Sequence, residues 1–212
     1  RVRALRRLDD GTLRSAVVDV PPGWSSEATR TTRAAEQGYV LSGQIEIAGV
    51  AFEAGSFYAV PAGAAFGPVR SAQGAQTILI LEGEQAYGGA AASAPGRVER
   101  IVAAEVPAIE PVIDGRVIGV RRRVLWQDPV TGADTRHLTL PSGLAALGAE
   151  WHPVNEEIFF LTSSGRAEND GAGPGWFLFN PAFAVHGGKR MATTTERTLL
   201  EWHDGKWALN RP

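Results

Sequence analysis

Four side chains in the second half of the chain have types and spacings that suit a divalent metal ion. Glu150 and His152 are two residues apart and Glu156 follows after four more, so all three share one face of a regular extended strand. His186 comes from a separate segment that follows Pro181. Imidazole nitrogens and carboxylate oxygens are ligands that suit ions such as Fe²⁺, Mn²⁺ and Zn²⁺. We therefore predict a metal site formed by His152, Glu156 and His186, with Glu150 either a fourth ligand or a neighbouring acid.

These residues belong to the second copy of an internal repeat whose two copies are offset by 120 residues. The matching pairs are Gly55 and Gly175, Pro61 and Pro181, Phe66 and His186, Glu36 and Glu156. All four histidines of the chain lie in the second copy. In the first copy the positions of the four candidate ligands hold Arg30, Thr32, Glu36 and Phe66. One glutamate does not hold an ion by itself, so the repeat predicts a metal site in the second copy only.

Short apolar and β-branched runs, each bounded by Gly, Pro or Ser, predict an all-β chain. The predicted strands are 12–20, 38–41, 44–50, 57–60 and 77–81, then 121–126, 137–140, 158–161, 176–179 and 198–202. This rhythm is typical of an antiparallel sandwich or barrel, and the long period indicates two like domains rather than a solenoid. The Gly- and Ala-rich stretch 83–96 is predicted to be a linker or a surface excursion. We therefore predict domains at 1–95 and 96–212.

The order of these residues resembles the cupin superfamily, and the duplication resembles a bicupin. The first cupin motif is His-x-His, three or four residues, Glu, six residues, Gly. Residues 150–156 match it with Glu150 in place of the first His, and Ser163 stands where the Gly is usual. The resemblance implies two tandem cupin barrels of the double-stranded β-helix type, the first metal-free and the second metal-binding.

The second cupin motif is Gly, five residues, Pro-x-Gly, two residues, His, three residues, Asn. Gly175, Pro181 and His186 match it, whereas Phe183 replaces its second Gly and Arg190 replaces its Asn. The run 152–161 also resembles the anti-sigma-factor-type (ChrR-like) cupins, which implies a metal-dependent sensor or binding module.

Two histidines and a carboxylate with open coordination positions form the arrangement of non-haem Fe(II) oxygenases. We therefore expect one divalent ion per chain, with Fe²⁺ favoured over Mn²⁺, Zn²⁺ or Ni²⁺. The expected activity is that of an oxygenase on a small organic molecule, aromatic or carbonyl-containing. A redox-neutral isomerase, cyclase or lyase stays open as an alternative, and so does the non-enzymatic ChrR-like module. The sequence assigns no further catalytic residue and no organic cofactor.

Further polar and aromatic residues are candidates to line a substrate pocket or to support the ligands. They are His137, Phe160, Phe179, Arg190 and Trp202. For His137 the preferred interpretation is a half-exposed histidine on a strand. For His203, beside the predicted turn at Asp204 and Gly205, it is a surface histidine.

Composition excludes several functions. The chain has 212 residues, a formal net charge of -2 and no cysteine, which removes thiolate catalysis, disulfides and Cys-based zinc sites. No basic patch predicts nucleic-acid binding and no apolar run reaches the roughly 20 residues of a membrane span. We expect a cytoplasmic protein, since no signal or transmembrane segment is visible, and a homodimer, as the cupin resemblance implies.

Overall fold

The computed structural model describes residues 1–84, 87–88, 98, 100–145, 147–163, 173–187 and 193–212. The chain forms two compact units, Arg1–Glu105 and Val106–Pro212. Strands pair antiparallel throughout the described residues, where the only helical element is the 3-10 turn Ala103–Glu105. The all-β prediction is therefore confirmed. The predicted boundary between residues 95 and 96 and the candidate Arg190 lie outside the described residues.

The strands of the first unit are β1 Val2–Arg7, β2 Leu13–Val20, β3 Trp24–Ser26, β4 Arg30–Thr32, β5 Glu36–Ile47, β6 Val50–Glu53, β7 Ser56–Val60, β8 Ala65–Phe66, β9 Val69–Ser71, β10 Ala75–Leu81, β11 Tyr87–Gly88 and β12 Ile101–Val102. One sheet runs in the order β1-β2-β10-β5-β7-β12, with shorter strands joined to it, and a small sheet has the order β11-β4-β8. Phe66 and Val60 are buried in an apolar core with Phe52, Tyr58 and Val40. Side chains therefore fill the interior at the positions where the second unit has polar groups.

Glu36 is a buried acid at the start of β5. Burial raises the pKa of its carboxyl from 4.5 to about 7, although the charge of Arg30 and a hydrogen bond with Tyr58 both lower it. The folded state holds this proton more tightly than the unfolded chain, so protonation of Glu36 stabilises the fold. This contribution to the free energy of unfolding is complete below about pH 4.5 and is lost as the pH rises to about 7.

We expect Glu36→Gln to escape this loss, because its amide has no proton to release. From about pH 5 to about pH 8, the free energy of unfolding of the wild type should fall by roughly 2–3 kcal/mol more than that of the variant. Urea unfolding at both pH values measures this. Glu53→Gln, at an exposed position of β6, is the matched control. A variant with the pH dependence of the wild type would contradict the prediction.

The strands of the second unit are β13 Val112–Ile113, β14 Arg116–Val117, β15 Arg121–Gln127, β16 Asp134–Leu140, β17 Ala149–Glu150, β18 Glu156–Ser163, β19 Phe177–Asn180, β20 His186–Gly187 and β21 Arg197–His203. The main sheet runs in the order β15-β16-β21-β18-β19, and there are two two-stranded sheets, β17-β20 and β13-β14. No helix among the described residues is long and apolar enough to cross a membrane.

Alternation along the strands divides one face of this sheet into an apolar part and a polar part. Leu140, Ile158, Phe160 and Leu199 pack together with Val120 and Leu144 in the apolar part. The polar part begins two residues further along β16, β18 and β21, on the same face of the sheet. The charged residues there are also buried. They are Asp134, Arg136, Glu156, Glu201 and His203.

The two units place the repeated residues in the same register. Glu36 begins β5 and Glu156 begins β18. Arg30 pairs with Phe66 in the first unit, and Glu150 pairs with His186 in the second. The offset of 120 found in the sequence therefore relates structurally matching positions.

Candidate metal centre

The structure brings the imidazoles of His152 and His186 together with the carboxylate of Glu156. The two Nε2 atoms are 3.1 Å apart. Nε2 of His186 lies 3.3 Å from Glu156 Oε2, and Nε2 of His152 lies 3.5 Å from Oε1. Neighbouring ligand atoms of an ion with bonds of about 2.0–2.1 Å are roughly 2.9–3.4 Å apart. The three side chains therefore have the spacing of ligands that share one ion.

The other ring nitrogen of each histidine is fixed by a backbone carbonyl. His152 Nδ1 donates to the carbonyl of Ala208 at 3.0 Å, and His186 Nδ1 donates to that of Ala184 at 2.9 Å. In a neutral imidazole this leaves the lone pair on Nε2, which is the state a metal ligand needs. Two nitrogen lone pairs that face each other repel unless a cation or a proton lies between them. The donor set therefore fits a divalent ion.

Glu150 lies beside these groups and has unused acceptor capacity. Its ligand atom and those of His152 and His186 all lie within 4.8 Å of one another. Its Oε2 is buried without a hydrogen bond among the described residues and is 3.5 Å from Nη1 of Arg211. Burial and repulsion by Glu156 raise the pKa of the Glu150 carboxyl. An ion would satisfy this oxygen.

Hydrogen bonds keep Glu156 anionic despite its burial. Burial alone would raise the pKa of this carboxyl, but hydrogen bonds from His203 and from the protonated form of His186 outweigh it and lower the pKa. The same contact raises the pKa of His186, whereas burial lowers that of His152. The lowered pKa of Glu156 favours its carboxylate form, which attracts a cation.

The prediction that His203 is a surface histidine is wrong. Its side chain is 1% exposed, because β21 pairs with β18 and sets His203 opposite Glu156. Nδ1 of His203 bonds to Asp134 Oδ1 at 2.7 Å, and Nε2 lies 3.3 Å from Glu156 Oε1. Burial lowers the pKa of His203, but the hydrogen bonds to Asp134 and Glu156 raise it to about 9.

Two further buried residues that sequence reasoning missed extend this cluster. Arg136 lies between Asp134 and Glu201, with Nη2 2.6 Å from the first carboxylate and Nη1 3.3 Å from the second. Burial is the main cause that raises the pKa of Glu201 to about 7, and repulsion from Glu156 adds to it. The sequence contained a signal for this cluster. Asp134 and Arg136 are two residues apart on one strand, and Glu201 and His203 are two residues apart on another, so each pair shares one face of the sheet.

The aromatic ring of Trp207 covers the cluster from one side. Its ring centroid lies 4.9 Å from that of His152 and 6.1 Å from that of His203. The guanidinium carbon of Arg136 lies 4.8 Å from the same ring. Trp207 therefore shields three polar side chains from water.

Most of the residues predicted to line a pocket are not brought to the centre. His137 and Trp202 alternate with Arg136, Glu201 and His203, so they lie on the opposite face of the sheet. Phe179 likewise alternates with Asn180 and is 39% exposed on that face. Phe160 shares the face of Glu156 but packs in the apolar core. Arg190 lies outside the described residues.

Phe183 occupies a backbone conformation that favours glycine. Its φ is 64°, and Gly63, the matching residue of the first unit, has a φ of 76°. The Phe183 N–H donates to the carbonyl of His152, and its ring, 65% exposed, packs against Trp151. The turn therefore keeps the backbone conformation of Gly63 although residue 183 is not a glycine, and it places an exposed aromatic ring beside the His152 backbone.

A cavity of about 580 Å³ opens in the second unit. Its lining includes Leu144 and Leu147 together with Asp114 and Arg116. Asp114 pairs with Arg211 at 2.7 Å, and Arg211 in turn approaches Glu150. The cavity has the volume of a small-molecule site and mixes apolar with charged lining.

Comparison with solved structures finds similar proteins over the whole chain. A "putative dioxygenase" from Nostoc punctiforme has a TM-score of 0.78 at 16% identity, covering 100% of this chain and 82% of the other. Salicylate 1,2-dioxygenase from Pseudaminobacter salicylatoxidans has a TM-score of 0.68 at 10% identity, covering 99% and 79%. A variant of Bacillus subtilis oxalate decarboxylase has a TM-score of 0.61 at 15% identity, covering 99% and 74%.

These similar structures are cupin-fold proteins, and the chain has the cupin fold that its motifs predicted. No protein-family model matches the sequence, and no curated protein matches it. Identities this low establish the fold and leave the activity to be argued from the site.

Proposed function

We propose that this protein is a metal-dependent enzyme that acts on a small organic molecule, and that its reaction is an oxygenation. The observation that carries this is the convergence of His152 Nε2, His186 Nε2 and the Glu156 carboxylate at ligand spacing. Two imidazoles and a carboxylate suit Fe²⁺ and leave coordination positions open for other molecules. A salicylate 1,2-dioxygenase has the same fold, so the fold is compatible with this reaction class.

His152, Glu156 and His186 would hold the ion, with Glu150 as the candidate fourth ligand. When bound, Fe²⁺ would supply a Lewis acid for the substrate and electrons for O₂. The chain's own residues would orient the ligands through the Ala208 and Ala184 carbonyls. Trp207 would limit the access of water on one side. The cavity near Leu144 and Asp114 is lined by none of the four candidate ligands, although Arg211 contacts both Asp114 of its lining and Glu150.

Oxygen uptake tests the reaction class. Protein loaded with Fe²⁺ is supplied with a panel of phenols and diketones, and O₂ consumption is followed with an electrode while substrate loss is measured by chromatography. We expect uptake equal to substrate loss for at least one compound. His186→Ala, treated identically, is the control and should show neither.

A redox-neutral reaction is the second candidate, and one observation favours it. The chain is also similar to oxalate decarboxylase, whose Bacillus subtilis form has Mn(II) centres. Loss of substrate without O₂ uptake, with Mn²⁺ in place of Fe²⁺, would select this candidate. Metal binding without turnover of any compound would instead favour the metal-dependent sensor or binding module.

A further inference from the structure

We propose that Asp134, His203 and Asn180 are positioning residues that hold the Glu156 carboxylate in its metal-binding orientation. This inference rests on the proposed function, since it assigns Glu156 as a ligand. The pairing of four neighbouring strands places the residues in one row. Asp134 lies opposite His203, His203 opposite Glu156, and Glu156 opposite Asn180.

The contacts on Glu156 divide into holding contacts and ligand-side contacts. Asn180 Nδ2 donates to Oε2 at 2.6 Å, and His203 Nε2 holds Oε1 at 3.3 Å. The ligand imidazoles approach the same two oxygens, His186 at Oε2 and His152 at Oε1. A carboxylate has about four lone-pair sites, so one holding contact on each oxygen leaves one site on each for the ion. The carboxylate can then rotate only by breaking a holding contact.

Asp134 supports the contact between His203 and Glu156, because it fixes the ring of His203. The 2.7 Å bond to Nδ1 sets the orientation of the imidazole, and Asp134 is itself held through its other oxygen by Arg136. All of these groups are buried, with His203 at 1% and Asp134 at 3% exposure. Partners that orient metal ligands in this way commonly affect metal affinity about 10–100-fold.

The first unit supports the assignment, because it has lost the holding residues together with the ligands. In its row Glu36 lies between Leu81 and Val60, where the second unit has His203 and Asn180 around Glu156. Arg14, at the position of Asp134, donates to the Leu81 carbonyl instead. The positioning residues Asp134, His203 and Asn180 therefore have no equivalent at the matching positions of the first unit, which also lacks the ligands.

The test compares Mn²⁺ dissociation constants of the full chain, measured by competition with a fluorescent chelator. His203→Leu and Asn180→Val, which install the residues of the first unit, should each weaken binding about 10–100-fold. Asp134→Asn combined with His203→Leu should bind no more weakly than His203→Leu alone, because the Asp134 contribution passes through His203. His137→Leu, on the other face of the sheet, is the matched control and should bind like the wild type.

Conservative replacements separate positioning from mere packing. The side-chain amide nitrogen of glutamine can lie near the position of imidazole Nε2, whereas that of asparagine cannot. His203→Gln should therefore retain most of the Mn²⁺ affinity of the wild type, and His203→Asn should lose it. The Mn²⁺ electron paramagnetic resonance spectrum should change in His203→Leu while the number of coordinated nitrogens stays the same.

Two results would overturn the proposal. Wild-type affinity in both His203→Leu and Asn180→Val, when His186→Ala does not bind, would remove the positioning role and leave the proposed function intact. Loss of one coordinated nitrogen in His203→Leu would make His203 a ligand itself. Normal metal binding by His186→Ala would instead contradict the proposed function.

Discussion

His186→Ala is expected to reduce bound divalent metal from about one ion per chain to less than about a tenth of that. The imidazole of His186 is one of two that approach each other at 3.1 Å, and it also lies 3.3 Å from Glu156. Its removal leaves a single imidazole, that of His152, beside the carboxylates of Glu156 and Glu150, and we expect such a site to lose its ion during dialysis. His152→Ala should have the same effect. The measurement is metal content by inductively coupled plasma mass spectrometry after loading with Fe²⁺ or Mn²⁺.

His137→Ala controls for a general effect of losing a histidine. His137 is half-buried on β16 and lies on the opposite face of the sheet from the cluster, where burial and the nearby charge of Arg123 lower its pKa to about 4. It should retain the metal content of the wild type. Equal metal content in His186→Ala and the wild type would show that this centre does not bind the ion.

Arg136→Met is expected to destabilise the protein by about 3–5 kcal/mol, because it removes the guanidinium that two buried carboxylates share. Arg136 is 6% exposed and contacts Asp134 at 2.6 Å and Glu201 at 3.3 Å. Methionine fills a similar volume but cannot donate to either carboxylate. The free energy of unfolding is measured with urea in the presence of a chelator, so that metal binding does not contribute.

Arg121→Met is the matched control, because Arg121 pairs with Glu196 at 3.3 Å on the surface of the same unit, where both side chains are about half exposed. An exposed pair contributes roughly 0–1 kcal/mol, so this variant should be close to the wild type. A similarly small change in Arg136→Met would mean that Asp134 and Glu201 are neutralised by other means.

Most of the strand cores could be predicted, but strand ends at the centre could not. The predicted strand 137–140 is β16 Asp134–Leu140, and the predicted strand 198–202 is β21 Arg197–His203. Each prediction stopped short where buried charged residues replace apolar ones. Hydrophobic periodicity detects burial through apolar side chains, so it fails where a strand carries charged groups into a polar interior.

The first unit shows a different limit. The predicted strand 38–41 and the first four residues of the predicted strand 44–50 belong to one continuous strand, β5, whereas residues 48–50 form the turn and the first residue of β6. Ser42 and Gly43 suggested a break, yet β5 passes through them, because they pair with Gln76 and Ala75 of β10. The actual turn lies at Ala48 and Gly49, which both have positive φ.

The sequence alone determined the fold class, the duplication and the confinement of the candidate ligands to the second copy. These depend on local information, namely residue alternation along a strand and fixed spacing around Gly and Pro. Only the tertiary structure decided that His203, Asp134 and Asn180 meet Glu156, since they come from separate strands. Register between strands is set by how whole faces pack, and no spacing within the chain encodes it directly.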